Sequence, residues 1–195
     1  MAATTLKELA QNAPTAFYSK TNHHTSTSTN NEFVDAIFPV LRDPQPIVRV
    51  CAADALSEFL KIIVDRKHRS TIGLLCQIYA TTMDGLYFNN NSNGNNPLHN
   101  NHNNNNHHGD SNNNSNNNTN ANMTVGMQVR MDASQHASLL VVSDLLDHTR
   151  DFMLPRFDEV CQAVLHLADN TSLLIQLEVV QIIPRLAHRC PGAFG

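Results

Sequence analysis

The chain has 195 residues, of which 41% are hydrophobic, and a formal net charge of −4. Its 13 Lys and Arg residues against 17 Asp and Glu residues provide no basic stripe of the kind that a nucleic-acid surface needs. The sequence also lacks a polybasic run that would predict binding to an anionic membrane, and an apolar stretch long enough to span a bilayer. These properties argue against nucleic-acid binding and membrane insertion, and they suit one compact domain or a few units of a repeat array.

The four cysteines, Cys51, Cys76, Cys161 and Cys190, are far apart and form no C-x-x-C pair. Each lies in or beside an apolar helical pattern, where a free cysteine behaves as a small hydrophobic residue. We therefore predict free thiols rather than disulfides or metal ligands. The N-terminal residues lack the basic region and apolar stretch of a signal peptide. Together these features predict a soluble protein of a reducing, intracellular compartment.

A low-complexity tract at residues 89–122 consists almost entirely of Asn, His, Ser and Gly. It holds too little apolar surface to offset the entropy of ordering it, so disorder is predicted. Its histidines are accompanied by no cysteine or carboxylate cluster, and we predict no metal site there. A shorter polar stretch at residues 19–31 predicts a second loop.

Two prolines separate the first pair of predicted helices. Residues 32–41 carry apolar side chains at the spacing of one helical face. Asp43 can then cap the next helix, and Pro44 and Pro46 suit a helix boundary because proline pre-sets the backbone angle of a first turn. From Val48 onward, the second helical face comprises Ala52, Ala55, Leu56, Phe59 and Ile63.

Further helices are predicted at residues 71–86 and 133–148, on either side of the Asn-rich tract, and at residues 156–168. The packed side of the helix at residues 156–168 is predicted to comprise Phe157, Val160, Cys161, Val164, Leu165 and Ala168. After a break at residues 169–172, the last helix is predicted to align Ile175, Val179, Ile182, Ile183 and Leu186. Pro184 lies inside that helix, where it should introduce a kink at a cost of about 3 kcal/mol unless packing compensates.

An internal repeat relates the first helical hairpin to the last at an offset of 127 residues. The aligned pairs are Asp43 with Asn170, Val48 with Ile175, Arg49 with Gln176, Ala52 with Val179, and Leu56 with Ile183. Once the 34 residues of the tract are set aside, 93 residues remain for two periods, and each period falls within the about 40–47 residues typical of HEAT and armadillo units. We therefore predict an all-α fold, an α-solenoid of HEAT/armadillo-type hairpins with a disordered Asn-rich insertion. A single helical bundle is the alternative, although it would not need the recurring offset.

The predicted boundaries follow these hairpins. Residues 1–18 form the end of a preceding helical repeat, 19–31 a polar loop, 32–64 a HEAT-like repeat, 65–150 a repeat interrupted by the insert 89–122, and 151–195 a third repeat in which the chain is truncated. The apolar segment IIPRLA argues against an independent array, which would carry a polar capping helix.

Asp43 and Arg49 suggest an interaction between repeats. An Asp in the turn and an Arg in the first turn of the second helix recur in HEAT units, where they can bridge adjacent turns. The alternative is a capping Asp and a solvated Arg, which would contribute only about 0–1 kcal/mol as a surface pair. Asn170 and Gln176 occupy the same positions without charges, so any charged ladder is predicted to be partial.

Several segments resemble the N-terminal HEAT region of target-of-rapamycin (TOR) protein kinases: DPQPIVRVCAADALSEFL, HASLLVVSDLL, RFDEVCQAVL and SLLIQLEVVQIIPRLAHRCPGAF. The segment LKELAQNAPTAFY resembles the one that precedes the first repeat in that family. The resemblance implies a scaffold segment of a large serine/threonine kinase that controls growth in response to nutrients. It implies docking of a Raptor-like subunit, of neighbouring HEAT repeats or of a second TOR chain. It also implies a cytoplasmic location, with vacuolar or lysosomal membrane surfaces or the nucleus as alternatives.

The chemistry of phosphoryl transfer is not expected in this chain, which has seven glycines and no glycine-rich loop. The HRS and HRC segments at His68 and His188 lack the catalytic Asp of a kinase loop. We predict no catalytic, cofactor-binding or metal-binding residue, and the resemblance implies that ATP and Mg²⁺ would bind elsewhere in the parent kinase. The alternatives are an independent HEAT-repeat adaptor that binds another protein and a metal-dependent hydrolase, although H-E-x-x-H and paired carboxylates are missing.

Overall fold

The computed structural model describes residues 2–12, 29–65, 69–88 and 117–189. Its helices are α1 (Ala2–Asn12), α2 (Thr29–Leu41), α3 (Pro46–Asp65), α4 (Arg69–Leu86), α5 (Asn117–His148), α6 (Arg150–Met153), α7 (Phe157–His166) and α8 (Leu173–Arg189). A 3-10 turn at Leu154–Arg156 joins α6 to α7. Over these described ranges no strand is present, and the predicted all-α fold is confirmed.

The helices pack in two layers. In the first layer, α2 contacts α4 and α4 contacts α7; in the second layer, α1 contacts α3, α3 contacts α5, and α5 contacts α8. Across the layers, α2 pairs with α3, α4 with α5, and α7 with α8. Each helical pair therefore packs against the next. Such packing is needed because a single pair cannot bury its apolar face by itself.

The turn before α3 explains why this helix begins at Pro46. A proline at the first helical position removes only an N–H that would have no partner within the helix. The Asp43 carboxylate accepts a hydrogen bond from the Gln45 backbone N–H at 2.8 Å, which fixes the turn. From there α3 buries its predicted face, and Ala52 and Ala55 are 0% exposed, so neighbouring helices approach it closely.

One continuous core runs from α2 to α8. In its first part, Phe33 of α2 stacks on Phe59 of α3, with ring centroids 4.4 Å apart. Of the residues predicted for the last helix, Ile175, Val179, Ile182 and Leu186 are buried and Ile183 is half-buried. The helix continues through Pro184 to Arg189.

The last residues of both predicted polar stretches, 19–31 and 89–122, belong to the helix that follows each stretch. α5 begins at Asn117 and α2 at Thr29, so the predictions of a disordered insert up to residue 122 and of a loop up to residue 31 are wrong at these ends. The physical reason is that extending an established helix adds one hydrogen bond for each residue fixed, which is far less costly than starting a helix. Residues 89–116 and 13–28 lie outside the described residues.

The end of α7 also differs from the prediction. Leu165 is 42% exposed and Ala168 is exposed, whereas Leu167 is buried in their place. The helix ends at His166, and the Leu167 N–H bonds to the Val164 carbonyl at 3.1 Å in a tighter 3-10 pattern that changes which side chain faces the core. The short helix α6 was not predicted either.

Cys51 is half-buried, Cys76 exposed and Cys161 buried, and all three are free thiols. Cys76 therefore does not behave as the buried hydrophobic residue that was predicted. Cys190 and His68 lie outside the described residues. No helix within the described ranges is both long and apolar enough to cross a membrane.

The close approach of α4 and α5 at Gly85 gives a test of the packing. A Cβ at residue 85 would collide with the Ser138 hydroxyl group and lie 3.2 Å from Ser134 Oγ, whereas one at Gly73 would meet nothing within 4 Å. Gly85→Ala should therefore lower the free energy of unfolding by about 1 kcal/mol through overpacking. Gly73→Ala is the matched control and should raise it by about 0.5–1 kcal/mol through helix propensity. Urea denaturation measures both, and equal stabilisation by the two substitutions would contradict the packing.

Candidate functional site: polar contacts across the second layer

Arg49 is a buried charge, 4% exposed, in the first turn of α3. Its Nη1 donates to the carbonyl oxygens of Asp43 at 2.8 Å and Pro44 at 3.0 Å, and its Nε donates to His136 Nδ1 on α5 at 3.0 Å. Arg49 is thus not the solvated residue of the alternative interpretation. It connects the turn before α3 to the neighbouring helix through backbone oxygens and an imidazole, while the Asp43 carboxylate bonds within its own turn.

The Arg49–His136 hydrogen bond fixes the state of the imidazole. A guanidinium can only donate, so His136 Nδ1 is the acceptor and the ring is neutral with its proton on Nε2. Burial, and then the Arg49 charge, lower the pKa of His136 to about 4. Because the folded-state pKa is below the unfolded value, the stability that this neutral ring contributes is present above about pH 6.5 and is lost as the pH falls towards 4.

The turn before α8 repeats the same local geometry 127 residues later. Asn170 Oδ1 accepts a hydrogen bond from the Ser172 N–H at 2.8 Å, as Asp43 Oδ1 does from Gln45. Gln176 Nε2 donates to the Asn170 carbonyl oxygen at 2.7 Å, as Arg49 does to that of Asp43. The positions aligned by sequence therefore form equivalent turns, with an amide in place of the guanidinium.

Helix α5 joins these two turns. Asn170 Nδ2 donates to Gln135 Oε1 at 3.0 Å, and Gln135 directly precedes His136, the acceptor of Arg49. Gln135 also makes a weak 3.5 Å contact with the Leu86 carbonyl at the end of α4. We call Arg49, His136, Gln135, Asn170 and Gln176 the turn ladder. Since Gln135 and His136 are 4% and 3% exposed, these bonds offset the cost of burying polar groups and set the register of three helices.

A second line of polar contacts crosses the same helices, at the middles of α1 and α3 and near the C-terminal ends of α5 and α8. We call these contacts the mid-helix bridges, after their position on α3. Lys7 of α1 forms an ion pair with Asp54 of α3 at 2.7 Å. Ser57 Oγ lies 3.0 Å from His148 Nε2 of α5. Arg185 of α8 forms an ion pair with Asp147 of α5 at 3.1 Å and donates a hydrogen bond to Ser143 Oγ.

The bridge between α3 and α5 contains an unusual carboxyl group. Burial raises the pKa of Asp144 to about 7, while a hydrogen bond from Ser57 opposes the shift and the charges of Asp147 and Asp54 add to it. Burial also lowers the pKa of His148. Ser57, His148 and Asp144 are the residue types of a nucleophilic triad, but Asp144 contacts the serine rather than orienting the histidine, so the arrangement is not catalytic in form.

The remaining predicted repeat positions fall into two groups. Buried or half-buried positions are Val48, Ala52, Leu56, Ile175, Val179 and Ile183; exposed positions are Pro44 and Pro184. Sequence reasoning did not single out Gln135 or His136. The available signal was the polar run Ser134–Gln135–His136 at positions where the helical period of α5 places a buried face.

Within the described ranges, no group of three or more His, Cys, Asp or Glu side chains could hold a metal ion.

Removal of the Arg49 side chain tests the turn ladder. Arg49→Ala leaves two carbonyl oxygens and His136 Nδ1 buried without a donor, so the free energy of unfolding should fall by about 3 kcal/mol. Arg42→Ala, at an exposed position just before the turn, is the matched control and should change it by no more than about 0.5 kcal/mol. If urea denaturation gives similar small losses for both, the ladder does not stabilise the fold.

Asp144→Asn tests the mid-helix bridge between α3 and α5. Asp144 keeps its proton in the folded state up to about pH 7, whereas an unfolded Asp loses it near 3.8, so its contribution to stability falls as the pH rises between these values. The amide cannot ionise, and the variant should be more stable than the wild type at pH 8 by about 1 kcal/mol or more, with little difference at pH 4.

Comparison of the variant with the wild type at each pH isolates the contribution of Asp144. The contributions of His136 and His148 have the opposite pH dependence but are the same in both proteins. Asp84→Asn, at an exposed carboxylate of α4, is the control and should leave the pH dependence of unfolding unchanged. Parallel curves for Asp144→Asn and the wild type between pH 5 and pH 8 would contradict the assignment.

Comparison with known proteins identifies related sequences. The serine/threonine-protein kinase TOR of Arabidopsis thaliana is 32% identical over 183 residues, which cover 94% of this chain and 5% of that protein. The TOR kinase of Oryza sativa subsp. japonica is 30% identical over 183 residues, with 94% and 5% coverage. The kinase tor1 of Schizosaccharomyces pombe is 22% identical over 189 residues, with 97% and 6% coverage.

No protein-family model matches the chain. No solved structure matches it significantly. The chain spans about one twentieth of the length of the curated relatives that it matches. The predicted resemblance to TOR kinases is nevertheless confirmed along nearly the whole chain, which is a TOR-related segment similar to a short part of these serine/threonine-protein kinases. That this part is their N-terminal HEAT region stays a prediction.

Proposed function

We propose that this chain is a scaffold segment of a TOR-like serine/threonine protein kinase that controls growth in response to nutrients. The observation that carries the proposal is the similarity to TOR kinases over 94% of the chain at only 5% of their length. A scaffold role is supported by the two-layer packing, in which neighbouring helices are joined by polar contacts.

The helical pairs are proposed to be HEAT-type units. Their proposed bounds are residues 32–64, 65–150 with the Asn-rich insert, and 151–195, preceded by the end of another unit at residues 1–18. The proposal is supported by the equivalent turns at Asp43 and Asn170 and by the consecutive stacking of α3, α5 and α8. In such units the turn ladder would keep each pair in register with the next.

The partners are proposed to be proteins: a Raptor-like subunit, neighbouring HEAT repeats or a second TOR chain. Phosphoryl transfer, with its ATP and Mg²⁺, would take place in a distant kinase domain of the longer polypeptide, which this segment would help to assemble. The proposed location is the cytoplasm, with recruitment to vacuolar or lysosomal membrane surfaces or to the nucleus within a TOR complex.

The size and activity of the natural gene product test this proposal. An epitope tag placed at the start of the coding region at its own locus should recover a polypeptide about twenty times longer than this chain, because 183 residues are 5% of the Arabidopsis protein. The recovered material should phosphorylate protein substrates on Ser or Thr with ATP and Mg²⁺. A tagged product near 21.6 kDa that binds other proteins without kinase activity would instead support the independent adaptor.

A further inference from the structure

A small cavity lies where α2, α4 and α5 meet. Its lining includes Phe38 and the exposed Arg42 from the end of α2, Thr81 of α4, and Ser134 and Ser138 of α5. The volume open to the centre of a water molecule is about 10 Å³. By this measure about 10–15 Å³ is needed to hold one water molecule. The cavity therefore has room for a single water and excludes larger polar molecules such as a phosphate ion.

Ser134 and Ser138 bring two buried hydroxyl groups to this cavity. These residues are 5% and 6% exposed and lie one turn apart on one face of α5. A hydroxyl inside a helix can bond to the carbonyl oxygen four residues earlier, as that of Thr82 does to Ile78. Neither serine hydroxyl makes a hydrogen bond to any residue that the structure describes. Because buried polar groups are costly without a partner, both hydroxyls require one from within the cavity.

The facing wall of α4 determines which partner can be reached. Ser134 Oγ and Ser138 Oγ face Gly85, where an added Cβ would collide with Ser138 Oγ and lie 3.2 Å from Ser134 Oγ. The Cα of a glycine offers neither serine a conventional donor or acceptor. Thr81, one turn before Gly85, does offer an oxygen atom to the cavity. Its hydroxyl already donates to the Gln77 carbonyl at 3.0 Å, so Thr81 Oγ1 can only accept a further hydrogen bond.

We propose that this cavity binds one structural water molecule, which bridges the Ser134 and Ser138 hydroxyls of α5 to the Thr81 hydroxyl of α4. The water oxygen accepts a hydrogen bond from each serine, and one water proton is donated to Thr81 Oγ1. Three hydrogen bonds are the typical number for a buried water. The inference stands apart from the proposed function, because it requires only the packing of these helices.

The water acts in the hairpin that has no short turn. The pairs α2–α3 and α7–α8 are each joined by a turn that Asp43 or Asn170 closes, whereas the Asn-rich tract separates α4 from α5 in sequence. Gly85 and the two serines allow a close approach of α4 and α5, but side chains this small leave a gap beside α2. A bound water fills the gap and gives the two layers a polar connection at this point.

A double-mutant cycle in urea denaturation tests the shared water. Ser134→Ala and Ser138→Ala each remove one of its bonds, and either loss weakens the site for the remaining hydroxyl. The unfolding equilibrium constant of the double variant should therefore be at least about fivefold lower than the product of the two single effects predicts. The helix propensity of alanine cancels in this comparison. Additive effects would show that the hydroxyls act independently and would overturn the proposal.

Thr81→Val and Thr82→Val provide a matched pair for the third partner. Both hydroxyls donate to the carbonyl oxygen four residues earlier, at 3.0 and 2.7 Å, but Thr81 lines the cavity and Thr82 does not. Thr81→Val should be non-additive with Ser138→Ala, whereas Thr82→Val should be additive with it to within about twofold. Equal coupling for both threonines would assign the effect to general repacking of α4 and contradict the bridge.

A crystal structure of the 195-residue chain that resolves ordered water tests the site directly. Density should lie about 2.7–2.8 Å from both Ser134 Oγ and Ser138 Oγ in the wild type, and it should be missing from the double alanine variant. A wild-type structure with other buried waters but no density between the two serines would overturn the proposal. Density beside Arg42 alone would show surface hydration and would overturn it as well.

Discussion

The second layer depends on a positive charge kept away from water. Transfer of a guanidinium into a protein interior costs several kcal/mol unless its donors are satisfied. Arg49 meets this requirement with two backbone oxygens of its own turn and one imidazole nitrogen of the neighbouring helix. These acceptors are all neutral, and burial lowers the pKa of Arg49 accordingly. Arg49 therefore couples the geometry of the turn, the start of α3 and the neutral state of His136. A change in any one of them removes an acceptor from the buried guanidinium.

Helix α5 connects the contacts of Arg49 to the turn before α8. Gln135 and His136 are consecutive, yet one bonds to the turn before α8 and the other to Arg49 of α3. A shift of α5 by one residue would move each side chain away from its partner and leave buried polar groups unsatisfied. Apolar contacts are non-directional, whereas the hydrogen bonds of the turn ladder require particular distances and angles. Its polar core residues thus specify register, and the apolar residues around them supply most of the burial.

The sequence predicted the elements of this arrangement but not the partners. Ala52, Leu56, Ile175 and Val179 were identified by helical period alone, because burial of a helical face leaves a local signature. The side-chain acceptor of Arg49, His136, lies 87 residues away, beyond the Asn-rich tract, and no local spacing marks it. The sequence suggested a charged bridge from Asp43, whereas the structure pairs Arg49 with carbonyl oxygens that every residue possesses. Asn170 and Gln176 form the same hydrogen bonds as Asp43 and Arg49 without carrying their charges. The geometry of the turn therefore depends on the position of these side chains and not on their charge.

The polar contacts at the three interfaces of the second layer differ in their burial, and therefore in their contribution to stability. Lys7 and Asp54, which join α1 to α3, have side chains 35% and 47% exposed, and an exposed pair of this kind contributes only about 0–1 kcal/mol and is screened by salt. α3 and α5 are joined by the buried Arg49–His136 bond and by Ser57, His148 and Asp144, whose energies depend on pH rather than on ionic strength. The α5–α8 interface combines an uncharged amide pair at the turn with the half-exposed Arg185–Asp147 pair. Loss of the polar contacts alone should therefore be least costly between α1 and α3, whose ion pair is partly exposed, and most costly between α3 and α5, where the polar groups are buried.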